Sequence, residues 1–417
     1  ALLTMAAVPL LLPAAGNDSL RAGAARLEVT PPADAALPMS GYGSRVDGHK
    51  GIHDPLYTRA IVVDDGARRA VIVSTDVIFM PEGFWNTVSE RITREQGIPR
   101  EHILLAATHT HGAPTVTPPS KGDAIPRWEG WIRTLEDRIC EAVRQAAAGL
   151  QPARVGSATG KALVNTNRRA RLANGGWGLG VNPEGVSDKT VTVVRFDGGS
   201  GEPIAILIHY AVHGVVMGPR NYQITSDLPG FTERYVEQHF GDKVVAAFLA
   251  NASGDQNPIY EPGENFSRVA ALGTILGEEA VRAAGSVRTS ARGRIFGAQR
   301  VVTCPGRKLT ADSSTRENRI AFEPSDPVNI RLSLLVVDGI AFAGVSGEVL
   351  TGIAHRLQKE SPLARTLLVS HANGSSGYIP DEASYPQVSY EIWISKLAPG
   401  CAENAIVNGF AEMLDAY

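Results

Sequence analysis

The sequence has little cysteine and no excess of charge of either sign. Only three of its 417 residues are cysteine, and Cys140, Cys304 and Cys401 lie far apart along the chain. Because thiolate zinc sites need closely spaced pairs, this spacing excludes such a site and allows at most one disulfide. The formal net charge is −3, with 40 Lys and Arg against 43 Asp and Glu. Without a basic excess, we expect no nucleic-acid partner.

The chain also lacks a hydrophobic run long enough to cross a membrane, which takes about 20 apolar residues. Its most apolar stretch, residues 1–16, is interrupted by proline and ends in small residues. This pattern is typical of the hydrophobic region and cleavage zone of a secretory leader, although a disordered apolar terminus is the alternative. No Met and no basic region precede it. We therefore expect residues 1–20 to be the remnant of a leader and the protein to be secreted or periplasmic.

Strand and helix signals alternate along the rest of the chain. Apolar runs pair as hairpins across Asp-Gly turns at residues 64–66, 197–199 and 338–339, and segments with helical spacing of apolar residues lie between them. We find no internal repeat and no low-complexity linker. Hairpins exclude a purely parallel sheet. The sequence therefore predicts one large α/β domain, residues 25–417, with a mixed β-sheet and flanking helices.

Two histidines follow one of the buried strands. The uncharged apolar run at residues 103–107 leads into His109 and His111, which are bounded by glycine and proline. Residues two apart on an extended chain point to the same side, so both imidazoles can face one cleft. Imidazole is a common zinc ligand. The pair alone fits equally well with histidines that only bond buried backbone groups.

Other strand ends carry polar residues in the same way. Apolar strands run into glycine-containing loops at four further places, which are His213, Asp255, Glu348 and Tyr378. Ligand sites of α/β proteins collect beyond strand ends because rigid strands fix the loops there. Two histidines and a carboxylate form a catalytic zinc set that leaves a position for water. Each residue alone also has a structural explanation, such as a helix cap for Asp255 or a core aromatic for Tyr378.

Seven short blocks in this order resemble the neutral/alkaline (non-lysosomal) ceramidases, and the resemblance extends over residues 26–391. The blocks are residues 108–111, 165–168, 211–214, 226–230, 254–255, 347–348 and 373–378. The resemblance implies a zinc amidase that splits N-acyl sphingosine, with the zinc site at strand ends. It also implies a small-molecule or lipid substrate, so that any contact with a membrane is peripheral and made through that substrate.

The resemblance assigns a role to each matched residue. It implies that His109, His213, Glu348 and Tyr378 are the zinc ligands. It further implies that His111 is the general acid/base beside the metal, that Arg168 holds the substrate or oxyanion, and that Tyr390 donates to the oxyanion. These roles agree with general chemistry. Zinc can lower the pKa of bound water to about 7, a neutral histidine can move the proton, and a guanidinium or phenol can stabilise an oxyanion.

The sequence departs from the family at Asn257, where the family's Gly-Asp-x-Ser-Pro block has its serine. A carboxamide is no nucleophile but can donate a hydrogen bond, so we expect attack by zinc-activated water with Asn257 as a donor. The family's glycine-rich continuation after the histidine pair is replaced by residues 112–119, which we expect to shape the substrate mouth. Because the chain ends soon after the last block, we expect it to lack the family's C-terminal β-sandwich.

These observations favour a secreted zinc-dependent amidohydrolase acting on N-acyl sphingosine or another N-acyl compound. One alternative keeps the zinc site but changes the substrate to an ester, lactone or glycan, which the altered mouth and Asn257 support. Another is a non-catalytic extracellular binding protein. A two-metal phosphoesterase using Asp76, Asp227 and Asp255 ranks last, since the chain lacks the clustered Asp/His spacings of such sites.

Overall fold

A computed structural model describes residues 20–119, 124–260, 262–313 and 320–417. The strands are β1 (Arg21–Glu28), β2 (Gly51–Ile52), β3 (Tyr57–Asp64), β4 (Arg69–Thr75), β5 (Ile103–Ala107), β6 (Gln151–Pro152), β7 (Arg154–Lys161), β8 (Asn165–Arg171), β9 (Trp177–Asn182), β10 (Thr190–Asp197), β11 (Pro203–Tyr210), β12 (Gln223–Ile224), β13 (Val245–Ala250), β14 (Gln256–Pro258), β15 (Ile295–Leu309), β16 (Phe322–Val337), β17 (Ile340–Val345), β18 (Glu348–Val349), β19 (Arg365–Val369) and β20 (Tyr378–Ile379). The α-helices are α1 (Glu82–Gln96), α2 (Ala124–Ala148), α3 (Asp227–Phe240), α4 (Phe266–Gly285), α5 (Thr351–Glu360), α6 (Tyr390–Ile394) and α7 (Ala402–Asp415).

Three sheets make up most of the fold. Their strand orders are β5-β4-β3-β1-β6, β13-β11-β10-β7 and β15-β16-β17-β19. Each contains an antiparallel hairpin and one parallel pair, formed by β4 with β5, β11 with β13, and β17 with β19. The remaining described strands form the short sheets β12-β2, β14-β8-β9 and β18-β20. The predicted α/β class is confirmed, with the strands divided among several sheets instead of one.

The three large sheets share a central core. Ile61, Leu207 and Phe342, one from each sheet, belong to the same buried cluster. Because side chains alternate along a strand, the opposite face of each sheet is free to bury helices. That outer face packs against α1 and α2 in the first sheet, α3 and α4 in the second, and α5 and α7 in the third. Three sheet-and-helix layers therefore surround one core, and the carboxyl ends of the parallel strands meet.

The first residue that the structure describes, Leu20, already belongs to the core. This residue is fully buried in the central core and precedes β1 directly. The rest of the predicted leader, residues 1–19, lies outside the described residues. In the ranges that the structure describes, no helix is both long and apolar enough to span a membrane.

A disulfide joins Cys304 on β15 to Cys401, the residue before α7, across a sequence separation of 97 residues. Cys140 is a buried free thiol. Closing a loop of this length stabilises the folded state by about 4–5 kcal/mol, because it restricts the unfolded chain.

We therefore expect the Cys304→Ala/Cys401→Ala double variant to lose about 4 kcal/mol of unfolding free energy in urea titrations. The wild-type protein under reducing conditions is the matched control and should show the same loss. Equal unfolding midpoints with and without reductant would contradict a stabilising disulfide.

Candidate metal centre

Three strand ends bring His109, His213 and Glu348 together. His109 lies two residues beyond β5, His213 three residues beyond β11, and Glu348 three residues beyond β17. The two imidazole centroids are 4.5 Å apart. The Glu348 Oε1 atom is 2.7 Å from His213 Nε2 and 3.4 Å from His109 Nε2. The structure thus places three of the four predicted ligands around one point.

Backbone carbonyls orient both imidazole rings. The Nδ1 atom of His109 lies 2.8 Å from the Ile78 carbonyl oxygen, and Nδ1 of His213 lies 3.1 Å from that of Gln256. A ring that donates its Nδ1–H to a carbonyl keeps a lone pair on Nε2. Metal-binding histidines are held in this way in most proteins. Both Nε2 atoms therefore point away from these carbonyls and face Glu348.

The acceptors at this point fit a cation. Burial, with Arg168 and His109 adding to it, lowers the pKa of His213 to about 4, so its ring is neutral. The Glu348 carboxylate lies against both imidazoles, and Arg168 Nη2 is 3.9 Å from its Oε1 atom. His109 Nε2 and Glu348 Oε1 are buried without a hydrogen-bond partner among the described residues. Since unpaired buried polar atoms are costly, this donor set suits a divalent metal ion.

His371 is a further member of the cluster that the sequence analysis did not assign. Its ring stacks on His109 at 3.9 Å between centroids, and its buried Nε2 has no hydrogen-bond partner in the described ranges. The ligand atoms of His109, Glu348 and His371 all lie within 4.8 Å of one another. His371 follows the apolar strand β19, which is the same signal that marked His109 and His213.

His111 lines the same cleft. Ligand atoms of His109, His111 and His213 also lie within 4.8 Å of one another, and neither ring nitrogen of His111 has a partner in the part of the chain described. Burial lowers the pKa of His111 well below its usual value, and His109 and His213 lower it further, so the ring is neutral. A Cβ at Gly41, where φ is +95°, would lie 2.2 Å from Nδ1 of His111. Glycine is thus required beside this ring.

Arg168 on β8 links the histidine cluster to the segment that contains Tyr390 and Glu391. Its Nε donates to Glu391 Oε1 at 2.7 Å, and its Nη2 donates to the Tyr378 hydroxyl at 2.9 Å. Its Nη1 lies 3.0 Å from His213 Nε2 and 3.3 Å from Asn257 Oδ1. All three guanidinium nitrogens are therefore held by protein groups. The partner Glu391, which is fully buried, was not predicted.

The two predicted tyrosines lie side by side. The ring centroids of Tyr378 and Tyr390 are 5.7 Å apart, and both side chains line the cavity that contains His109 and His111. Burial raises the pKa of the Tyr378 phenol well above its usual value, and Glu348 adds to this shift. Asn257 lines the same cavity. Whether Tyr378 is the fourth ligand stays a prediction.

The backbone at the cluster adopts rarely populated conformations. His109 and His371 have φ angles of 65° and 55°, a region that non-glycine residues seldom occupy. Nearby, Thr108 Oγ1 donates to Asp76 at 3.1 Å, and Asp76 is ion-paired with the fully buried Arg59. Such conformations persist only where the surroundings hold them, and they are found mainly at functional sites.

The aspartates of the phosphoesterase alternative have structural partners instead. Asp76 pairs with Arg59, while Asp227 accepts hydrogen bonds from the backbone NH groups of Val216 and Met217. Asp255 accepts from the Thr351 backbone NH and hydroxyl, which caps α5. None of the three belongs to a potential metal-binding group in the described ranges. The expectation that Asp255 caps the helix following it was wrong, since Asn265 caps α4 and Asp255 bonds the first residue of α5.

Two cavities meet at the cluster. One, of about 720 Å³, contains His109, His111, Arg168 and Asn257, and the other, of about 800 Å³, contains His371. Phe79, Glu348 and Tyr378 line both. Of the replaced loop at residues 112–119, Thr115 lines the first cavity. A substrate bound at the cluster could therefore extend to both sides of it.

Comparison with known proteins identifies the family. The model of the neutral/alkaline non-lysosomal ceramidase N-terminal domain matches residues 20–265, more than half of the chain. The neutral ceramidase of Pseudomonas aeruginosa is 28% identical over 274 residues, covering 62% of this chain and 40% of that protein. Neutral ceramidase B of Dictyostelium discoideum is 29% identical over 265 residues, covering 58% and 36%. The chain thus spans less than half the length of these curated relatives.

Solved structures extend the likeness over the second half of the chain. The crystal structure of neutral ceramidase from Pseudomonas aeruginosa matches with a TM-score of 0.75 at 19% identity, covering 95% of this chain and 74% of that one. A ceramidase complexed with C2 matches with a TM-score of 0.76, also at 19% identity, covering 95% and 75%. At this identity the likeness shows the fold. Together with the family match, it establishes that the chain belongs to the neutral/alkaline non-lysosomal ceramidase family.

Proposed function

We propose that this protein is a zinc-dependent amidohydrolase that cleaves N-acyl sphingosine or a related N-acyl compound. The observation that carries the proposal is the convergence of two carbonyl-oriented histidine Nε2 atoms on the Glu348 carboxylate. Nitrogen and oxygen ligands of this kind are those that catalytic zinc uses. Membership of the ceramidase family supports the amide as the bond that is cleaved.

His109, His213 and Glu348 would hold the ion, together with Tyr378 or His371. A bound zinc ion would supply Lewis acidity and lower the pKa of water to about 7. His111, neutral and with both ring nitrogens free in the described structure, can accept a proton from water and return it to the leaving amine. The proton shuttle is therefore assigned to His111.

Tyr390 and Asn257 are placed to contact the substrate. The Tyr390 hydroxyl makes no hydrogen bond within the described ranges and lines the cavity, so it can donate to a developing oxyanion. The Oδ1 atom of Asn257 faces Arg168, which leaves its NH₂ group to donate into the cavity. Arg168 orders this part of the cavity through its bonds to Asn257, Glu391 and Tyr378.

Replacing Asn257 by alanine should lower kcat by only about tenfold, since one neutral hydrogen bond contributes about 0.5–1.5 kcal/mol. Steady-state kinetics check this, with Asn257→Ser as the matched variant that restores the family's residue. No serine-directed covalent probe should label the active protein, because the nearby Ser253 is fully buried. Stoichiometric labelling of any serine with matching loss of activity would overturn the water mechanism and leave the metal site standing.

We also propose that the protein is exported to the periplasm or the cell exterior. The disulfide between Cys304 and Cys401 supports this, because disulfides persist in oxidising compartments and are rare in the cytosol. The apolar segment at residues 1–16 is the second support. Fractionation of the source cells followed by immunoblotting tests it, and a protein found only with cytosolic markers would contradict it.

A substrate panel tests the function. Zinc-loaded protein is offered N-acyl sphingosine, simple N-acyl amides, and the matching esters, lactones and glycosides, and the released fragments are measured by mass spectrometry. We expect amide cleavage. Cleavage of esters, lactones or glycosides alone would change the substrate class. Bound zinc with no cleavage of any of them would favour a binding protein.

A further inference from the structure

The second cavity has a basic wall in addition to the residues of the histidine cluster. This cavity of about 800 Å³ is lined near the cluster by Glu348 and His371. Its other wall carries Arg307, Lys308 and Lys396. The same three cations also line an adjoining cavity of about 210 Å³. Neither the expected metal chemistry nor the family match accounts for them.

Arg307 is the central member of this wall. Its side chain is only 8% exposed, and its buried Nε atom has no hydrogen-bond partner in the ranges described. Its guanidinium packs against the rings of Phe322 and Tyr385, and its Nη2 donates to the Ile392 carbonyl oxygen at 2.6 Å. Burial lowers its pKa, and no carboxylate forms an ion pair with it among the residues described. A buried cation with an unused donor is costly unless an anion compensates it.

Lys396 lies directly beside Arg307. The backbone NH of Arg307 donates to the Lys396 carbonyl oxygen at 2.8 Å, which adds this segment to the edge of β15. Lys396 makes no ion pair in the described part of the chain, whereas Lys308 is paired with Glu323 at 3.1 Å. Besides Glu348, one carboxylate lines the same cavity, that of Asp326. Glu348 belongs to the histidine cluster, and Lys308 is paired with Glu323. Without these residues, the wall carries two cations, Arg307 and Lys396, and one anion, Asp326.

We propose that this wall is a subsite for a carboxylate at one end of the substrate, so that the preferred substrate is an N-acyl amino acid. An excess of one positive charge suits a monoanion, and Arg with Lys is a strong donor set for a carboxylate. The acyl chain would occupy the cavity on the other side of the cluster, where Ile78, Val215 and Pro219 line the wall. The inference rests on the proposed amidohydrolase function, because it places the scissile amide between the two cavities.

Binding measurements test the subsite independently of turnover. Isothermal titration calorimetry compares N-dodecanoylglycine and N-dodecanoyl-6-aminohexanoate, which differ in spacer length, each with its neutral primary-amide counterpart. We expect the wild-type protein to bind at least one acid about tenfold or more tightly than its amide, the value of a charge-assisted hydrogen bond. Lys396→Ala should remove most of that preference. Lys308→Ala, whose lysine is paired with Glu323, is the matched control and should retain it.

Two binding results would overturn the proposal. Equal affinity for acid and amide at both spacer lengths would show that the wall selects no carboxylate. An unchanged preference in both Lys396→Ala and Arg307→Gln would assign the carboxylate to a bound metal ion. Preferential binding of the acids with hydrolysis of N-acyl sphingosine but not of the acids would overturn the substrate preference, whereas preferential binding without hydrolysis of any N-acyl compound would contradict the proposed function and leave the subsite standing.

Discussion

Replacing His213 by alanine should remove bound metal and catalytic activity together. This histidine is fully buried, and its Nε2 lies 2.7 Å from Glu348, so the variant loses one of the proposed ligands and leaves a carboxylate without its neighbour. A metal ion contributes several kcal/mol to the transition state, so we expect kcat/KM to fall by about 10³ or more. Elemental analysis of the purified protein and steady-state kinetics measure the two effects.

The matched control is His355→Ala, because His355 is exposed on the surface of α5. It should retain metal content and rate. Circular dichroism and the thermal midpoint should show that His213→Ala remains folded. A folded His213→Ala protein with one equivalent of zinc and the wild-type rate would contradict the ligand assignment.

Replacing His111 by alanine should lower the catalytic rate while the protein keeps its bound metal. Its neutral ring lies at the cluster with both nitrogens unpaired in the described structure, which suits a group that carries a proton. Loss of a general acid/base costs about 10²–10⁴ in rate, so kcat should fall by this factor while zinc stays bound. Added imidazole should restore part of the rate by occupying the space of the missing ring.

The structure makes this variant informative, because ligand atoms of His111 lie within 4.8 Å of those of His109 and His213. Loss of zinc along with activity would show that His111 is a ligand. The proton-transfer role would then have to pass to another group. His371, which is also buried and unpaired within the described ranges, would be the first to examine.

Much of the site could be predicted because its residues follow strands with clear signals. The run before His109 is apolar, short and closed by glycine and proline. The extended backbone expected for the two histidines was wrong, because His109 has a φ of 65°, although both rings lie in the same cleft. The turn before β17 and the glycine before Glu348 identify the end of β17 as a further site of this kind in the same way. These are local patterns, so no knowledge of chain pairing was needed to find them.

The remainder depends on contacts between distant parts of the chain. Glu391 lies 223 residues beyond Arg168, and only the fold reveals that the two side chains bond. His371 follows a short apolar strand as His213 does, but only the fold shows that its ring stacks on that of His109. The division into three sheets around one core also depends on which strands pair. The alternation of apolar and polar residues within one strand does not encode that pairing.

The central claim is that a metal ion held at this cluster drives amide hydrolysis, and a zinc titration of activity tests it most directly. Protein is stripped of metal with a chelator, checked for retained fold, and titrated with zinc while release of fatty acid from N-acyl sphingosine and N-dodecanoylglycine is followed. We expect no release from the stripped protein and a linear rise in rate that levels off at one equivalent of zinc. Full activity in the stripped protein, or no activity on either amide at any zinc concentration, would contradict it.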